Sequence, residues 1–290
     1  MPFTFSHPAA VLPLAFIKKK WVSVTALVIG SMIPDFEYFF NLEQDSIYSH
    51  TWGGMFWFDL PLALLVVYLF NYLIKNDLIQ HLPEFLNKRF SKFESSTRNL
   101  NDRKEFVVVV FSLLIGITSH IIWDKLTHKT VRLIDEQEHY TVFWEANSLV
   151  GASVIAAVVL NMRRGRKTQK NNILFYWLLI STITASFIYV RFLATTEIRD
   201  LGVSAISGFF TGLIVTSIIE KVWKRVVRTV SSHLRLFSSE EKGVHSSTLV
   251  RRTFFKLKRP STGFADGLFE GEISLLTEVC FQRIAITCFL

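Results

Sequence analysis

The sequence predicts an all-α, polytopic helical membrane protein, with an N-terminal helical hairpin followed by about five transmembrane helices. Three observations carry this. Half of the 290 residues are hydrophobic and only 19% are charged, where an ordinary soluble domain has about a quarter charged. Four apolar stretches come close to or reach the roughly 20 residues that cross about 30 Å of hydrocarbon. Lys and Arg crowd the segments between them on one alternating side, as cytoplasmic loops require. Disorder, collagen and disulfide scaffolds do not fit this composition. Cys280 and Cys288 both lie in the last eleven residues, and no Cys-x-x-Cys pair exists. The net charge of +8 does not point to nucleic acid, because the basic residues lie between apolar runs.

In chain order, the N-terminal pieces Pro8–Ile17 and Trp21–Ile33 flank Lys18-Lys19-Lys20. Each is too short to span alone, so together they read as a hairpin, with Ser6 placed to cap the first helix and Pro8 in its first turn. A basic cluster after the apolar stretch is not the pattern of a secretory signal peptide. Gly53–Ile74, Phe106–Trp123, Ile173–Leu193 and Leu201–Ile219 are the four strong spans, and Ala146–Leu160 is a shorter fifth. The Gly208/Gly212 pair in the last span suits close helix packing, with a homo-oligomer contact as its second use.

Orientation follows from the basic residues. The lysine triplet and the segments 75–104, 161–172 and 220–235 hold three, seven, five and five, twenty in all. The alternate segments 41–52, 124–141 and 194–200 hold none, three and one. The first set faces the cytoplasm with the C-terminus, and the second faces outward. Residues 1–235 form the membrane-embedded domain. After Ser238-Ser239-Glu240-Glu241-Lys242-Gly243 the chain becomes basic and unpatterned, so residues 236–290 read as a poorly ordered cytoplasmic tail.

Ionisable residues at membrane depth are costly and mark functional sites, and here they gather at one end of the bundle. Asp35 and Glu37 follow Pro34, His50 precedes the first long span, and His120, Asp124 and His128 stand at i, i+4 and i+8 across the outer end of the second. On a continuing helix these three line one face, the arrangement by which two side chains reach one metal ion. A hairpin returning at Lys18–Lys20 brings His7 back beside Asp35. His81, His139, His233 and His245 read instead as interfacial or hydrogen-bonded core residues. No Gly-x-Ser-x-Gly elbow, phosphate loop, dinucleotide fingerprint or His-Glu-x-x-His occurs.

The opening Met-Pro-Phe-Thr-Phe-Ser-His-Pro-Ala-Ala-Val-Leu-Pro-Leu and the later Gly-Ser-Met-Ile-Pro-Asp-Phe-Glu-Tyr-Phe resemble the bacterial membrane-protein family called domain of unknown function 4184. So do Ser49-His50-Thr51 and the run from Ser119-His120 through Asp124 to Thr127-His128. The likeness covers roughly residues 1–225. More distantly, the pattern is similar to inner-membrane proteins described as metal-dependent hydrolases, which carry an N-terminal His, a Pro-Asp, a Thr-His-Ser-like and a Ser-His-x-x-x-Asp motif. That similarity points to His7, Asp35, His50, His120 and Asp124, with Ser49-His50-Thr51 departing from the Thr-His-Ser order.

These readings together give a multi-pass protein of the bacterial inner membrane, with a divalent metal, zinc foremost, at the outer end of the bundle. His7, His50 and His120 supply nitrogen, Asp35 and Asp124 oxygen, His128 stands as a further ligand, and Asp124 and Glu37 serve as catalytic carboxylates. The expected activity is hydrolysis of a lipid-borne ester or phosphoester, with the bilayer as partner. Two other classes use the same residues: a cation or proton transporter, and a non-catalytic membrane organiser stapled by the polar cluster. A polar path through the spans would mark a transporter, but their middles are mostly aliphatic.

Overall fold

The computed structural model describes residues 4–17, 20–43, 46–134, 137–168, 172–194 and 197–244. Side chains at 128–141, 143, 144, 199 and 233–244 lie outside that description. The chain divides into two units, Met1–Ile219 and Glu220–Leu290. Among the described residues there is no strand, and four helices are long and apolar enough to cross a membrane: Met55–His81, Arg103–Thr127, Ile173–Phe192 and Asp200–Ser232. The apolar helix Glu145–Asn161 falls short of that length.

The N-terminal segment is a pair of short helices, α1 (Pro8–Val11) and α2 (Val24–Gly30), packed on each other. Prolines explain why α1 is brief. Pro8 opens it, and Pro13 falls in the 3-10 turn Leu12–Phe16 that replaces its continuation. The N-cap is His7, without a side-chain capping bond, so Ser6 does not serve as the expected cap and sits instead in a 3-10 turn over Thr4–Ser6. In α2, Ser23 Oγ accepts the backbone N–H of Ala26, a regular N-cap. Pro34 then opens the 3-10 turn Ile33–Asp35, which leads directly into α3 (Phe36–Asn41).

The first long span starts as a π-helical turn, Met55–Asp59, becomes α4 (Leu60–Leu69), and widens again over Phe70–Ile74 before α5 (Lys75–His81). It therefore runs seven residues beyond the expected end at Ile74. Lys75 and His81 there are buried and hydrogen-bonded. Lys75 Nζ donates to Thr97 Oγ1 at 2.6 Å and to the Ser96 carbonyl at 3.2 Å. His81 is hydrogen-bonded through Nδ1 to the Asp77 carbonyl and stacks on Tyr176 at 4.1 Å, an ordinary core histidine. Next, α6 (Glu84–Phe90) is tied to the following basic segment by Asn87, whose Oδ1 accepts the Thr168 N–H.

The hub of unit 1 is α7 (Arg103–Ile134), which packs against α1, α2, α4 and the next helix, α8 (Gln137–Asn161). Asp102 starts it by accepting the Lys104 N–H at 2.8 Å. Val109, Leu113, Ile117 and Ile121 recur every four residues and form one core with Ala26, Ile33, Ala63, Val67 and Val203. A second ladder on the same helix, Ser112, Gly116, His120 and Asp124, is small and polar. Its Ser112 Oγ accepts the Ser23 N–H at 2.9 Å. At Gly116 a Cβ would lie 2.5 Å from the Leu27 carbonyl oxygen, and at Gly30 one would lie 2.5 Å from that of Leu113. The two backbones touch here because neither helix has a side chain in the way. The last helices, α9 (Ile173–Phe192) and α10 (Ile198–Val244), meet in the same manner. Cβ atoms at Gly208 and Gly212 would press on Thr184, Phe187 and Ile180, so the glycine pair serves packing within this chain.

A methyl group at Gly116 has only backbone to push against. Gly116→Ala should cost about 1–3 kcal/mol and lower the melting temperature of the detergent-solubilised protein by several degrees. Gly202→Ala, where a Cβ meets nothing within 4 Å, serves as the control and should leave melting unchanged.

Candidate metal centre

Because α2 ends at Gly30 and the 3-10 turn follows at once, the Ser31 carbonyl has no helical partner and accepts from His120 Nδ1 at 2.8 Å. A carbonyl can only accept, so Nδ1 carries the proton and neutral His120 presents a lone pair at Nε2, the form in which histidine binds metal. One turn further along α7, Asp124 points to the same place. The turn at Pro34 brings in Asp35. His50 arrives from a loop held in a left-handed conformation (φ 60°), which non-glycine residues adopt at a cost.

That loop has a visible anchor. Glu37 accepts the backbone N–H groups of Ile47 (2.8 Å), Tyr48 (3.1 Å) and Ser49 (2.7 Å). Burial raises the Glu37 carboxyl, but these N–H groups outweigh it and hold the group below its ordinary value of 4.5. The Ser49 hydroxyl then meets His50 Nδ1 at 2.8 Å, and the Tyr38 ring stacks on His50 at 5.5 Å, leaving His50 Nε2 for the cluster.

Four atoms converge: His50 Nε2, His120 Nε2, Asp35 Oδ1 and Asp124 Oδ2. The two nitrogens are 3.2 Å apart. His50 Nε2 is 3.4 Å from each carboxylate oxygen, and His120 Nε2 is 3.5 Å from each. Five of the six edges of the figure they form are thus 3.2–3.5 Å. A tetrahedral ion with bonds of 2.0–2.1 Å needs donor atoms about 3.3–3.4 Å apart. Asp35 Oδ1 and Asp124 Oδ2 are buried and have no hydrogen bond of proper direction among the described residues, the condition of an acceptor facing a cation. Burial pushes the Asp35 carboxyl up, yet His120, His50 and His7 around it hold it well below the usual carboxylate range. Burial pushes His50 down, and the Asp124 and Asp35 carboxylates more than reverse this, so its value stands above 6.5. Both carboxylates call for positive charge.

His7 completes the set from the side. Its ring stacks on His120 at 3.9 Å, and Nε2 lies 3.3 Å from Asp124 Oδ1, the second oxygen of that carboxylate. His7, Asp35 and His120 also form a compact group of their own, as do His50, His120 and Asp124; either could hold a metal ion.

The structure therefore gathers His7, Asp35, His50, His120 and Asp124, and directs Glu37 to the loop. His128 lies on the same helix, α7, but its side chain lies outside the described residues. One further carboxylate, Asp59, is not among the sequence-derived candidates. It is 0% exposed, in the π-helical turn packed on the Ile33–Asp35 turn and on α7. The signal that points to it is a lone acid inside an apolar span.

The family model described as domain of unknown function, DUF4184, matches residues 1–218. The chain belongs to that family. All five clustered residues, Glu37 and Asp59 fall within the matched stretch of this DUF4184 protein. No curated protein and no solved structure matches the chain.

Glu37→Ala removes the acceptor of three backbone donors, with charge-assisted bonds worth roughly 1.5–3 kcal/mol each. Limited proteolysis between residues 42 and 50 should become at least tenfold faster, while cleavage after residue 235 stays as in the wild type. An unchanged rate in the loop would remove the anchoring role. Because the Glu37 carboxyl is held below 4.5, wild-type protection belongs to the ionised form. It persists as pH falls to that value and is lost only below it.

Proposed function

We propose that this protein is a membrane-bound, zinc-dependent hydrolase acting on a lipid-borne ester or phosphoester at the outer membrane face. The observation that carries the reading is the near-tetrahedral spacing of four orphaned or lone-pair-bearing atoms from three separate segments. His50, His120, Asp35 and Asp124 are the ligands in this reading, and His7 holds Asp124 by its second oxygen. A bound divalent metal supplies a Lewis acid and a water acidic enough to attack near neutral pH. Glu37 is the residue that presents His50, and Asp124 is the carboxylate nearest the chemistry.

Two features support a lipid as substrate. Tyr48, Trp52, Phe56, Trp57 and Trp123 are exposed around this end of the bundle, as aromatic residues are at a membrane–water boundary. Lys125 lies over the Trp52 ring at 4.4 Å, placing a cation where a lipid phosphate would be. The distribution of Lys and Arg supports an outward-facing site in the inner membrane, with the C-terminus and residues 236–290 cytoplasmic.

A second reading has its own observation. Four protein donors fill every tetrahedral corner, the closed pattern of structural zinc, whereas catalytic zinc keeps a position open. On that reading the ion staples the N-terminal segment to α7, and the protein organises membrane without catalysis.

Mass spectrometry of the detergent-purified protein should find about one zinc per chain, and none in a folded His120→Ala/Asp124→Ala variant. Absence of metal from the wild type after zinc is supplied would remove both readings and leave a transporter in front. Cobalt-substituted protein separates the two metal readings. A visible spectrum altered by acetohydroxamate indicates an open, catalytic position, and an unaltered one indicates a closed structural site.

A further inference from the structure

We propose that unit 1 carries a second ligand site at the end opposite the His/Asp cluster, a polar cavity that takes a phosphate group. It is independent of the metal centre and of any activity there.

The cavity lies beside residues 22–25, between Asn71 of the first long span and residues 93–98, which lead towards α7. Its volume is about 50 Å³, several times the roughly 10–15 Å³ that one water needs. Ser23 fixes its place in the fold. The N–H of this lining residue meets Ser112, which stands eight positions before His120 on α7, about 12 Å along the axis.

Three side chains of the wall, Thr25, Asn71 and Ser96, have no hydrogen-bond partner among the described residues, and all three can donate. Two cations stand with them. The Arg98 guanidinium lines the cavity, held by Glu105 and by the Val22 carbonyl at 2.9 Å. Lys75, one turn beyond Asn71, is 2% exposed, and its Nζ reaches the wall at the Ser96 carbonyl (3.2 Å). Glu105 answers the charge of Arg98. Lys75 has no such answer, because its partners among the described residues are the Ser96 carbonyl and the Thr97 hydroxyl, both neutral. An ammonium has three donors, and a buried charge without a counter-ion is unfavourable. An apolar ligand would leave these donors unanswered, and a cation would be repelled. A tetrahedral oxyanion supplies both the missing negative charge and several acceptors at once.

The surroundings point to the phosphate as its source. Trp21 adjoins Val22 and is 66% exposed, with Lys20 at 5.3 Å from its ring, and the exposed Tyr72 adjoins Asn71. Such rings gather at the membrane–water boundary, the depth of lipid phosphates. A phospholipid headgroup and free phosphate would meet the same donors.

The test titrates the full chain, purified in a phosphate-free maltoside detergent, with phosphatidylglycerol, inorganic phosphate and diacylglycerol. Native mass spectrometry counts bound lipid, and melting is followed in parallel. One phosphatidylglycerol per chain should be retained and melting should rise by several degrees, since a ligand of the folded state stabilises it. Diacylglycerol, which has the chains without the phosphate, should do neither. A rise with inorganic phosphate alone assigns the site to the free ion, and a rise with phosphatidylglycerol alone assigns it to the headgroup; both uphold phosphate recognition. Asn71→Leu removes a group without a protein partner, so it should fold as the wild type and bind at least tenfold more weakly. Lys75→Met should weaken binding equally without lowering the melting of the ligand-free protein. Equal retention of diacylglycerol, no response to either phosphate compound, or undiminished affinity in Asn71→Leu and Lys75→Met alike overturns the proposal.

Discussion

The contact between α2 and α7 at Gly30 and Gly116 is the constraint on which the rest of unit 1 turns. Two helices without side chains at their crossing come close enough to be fastened on both sides of it. The Ser23 N–H meets Ser112 Oγ on one side, and the Ser31 carbonyl meets His120 Nδ1 on the other. The second fastening also answers a local need. The last carbonyls of any helix lack partners and carry partial negative charge, and His120 satisfies one of them at the end of α2. The same hydrogen bond sets the tautomer that frees Nε2. Packing and the orientation of the His120 ring are thus settled by a single approach of two backbones.

Around that crossing the chain spends its polar residues in one place. Burying five ionisable side chains is unfavourable unless each is answered by another, and here the answers are mutual. Imidazoles lie between carboxylates, one histidine stacks on a second, and a backbone carbonyl orients it. The geometry needed at His50 is uncommon for a non-glycine residue, and Glu37 holds it by gathering three consecutive N–H groups. Four residues away, the aliphatic core of α7 is ordinary. The contrast between an apolar middle and a crowded polar end is what gives the molecule a site.

Much of this was legible before any coordinates. The spans follow from hydropathy, and the family from the strings around His7, Asp35, His50 and His120. What was harder to read had physical reasons. Lys75 to His81 look like a loop in sequence, but they continue a helix in which Lys75 and His81 find buried partners. Ser6 looks like a cap, but it ends the 3-10 turn Thr4–Ser6 and leaves His7 at the N-cap position of the helix that starts at Pro8. Glu37 reads as a spare acid because the sequence does not reveal which backbone N–H groups will need it. Asp59 was hidden by averaging: one carboxylate among Phe56, Trp57, Phe58 and Leu60 barely moves the hydropathy of its span. Gly116 between Ser112 and His120 was readable in principle, as a small-to-polar ladder at four-residue intervals.

The order of the donors along the chain has a consequence for how the site comes into being. His7, Asp35 and His50 are synthesised first, and the histidine they await, His120, follows His50 by 70 residues. Membrane proteins are made from the N-terminus onward, domains folding as they emerge. Until α7 is in place, the early donors have no Ser31-oriented imidazole and no Asp124 to close around. A nascent chain therefore offers scattered side chains where the finished one offers a compact group that could hold a metal ion. The centre is completed by the last of its contributors to be translated, which makes its formation a sign that the first half of the protein has been correctly threaded.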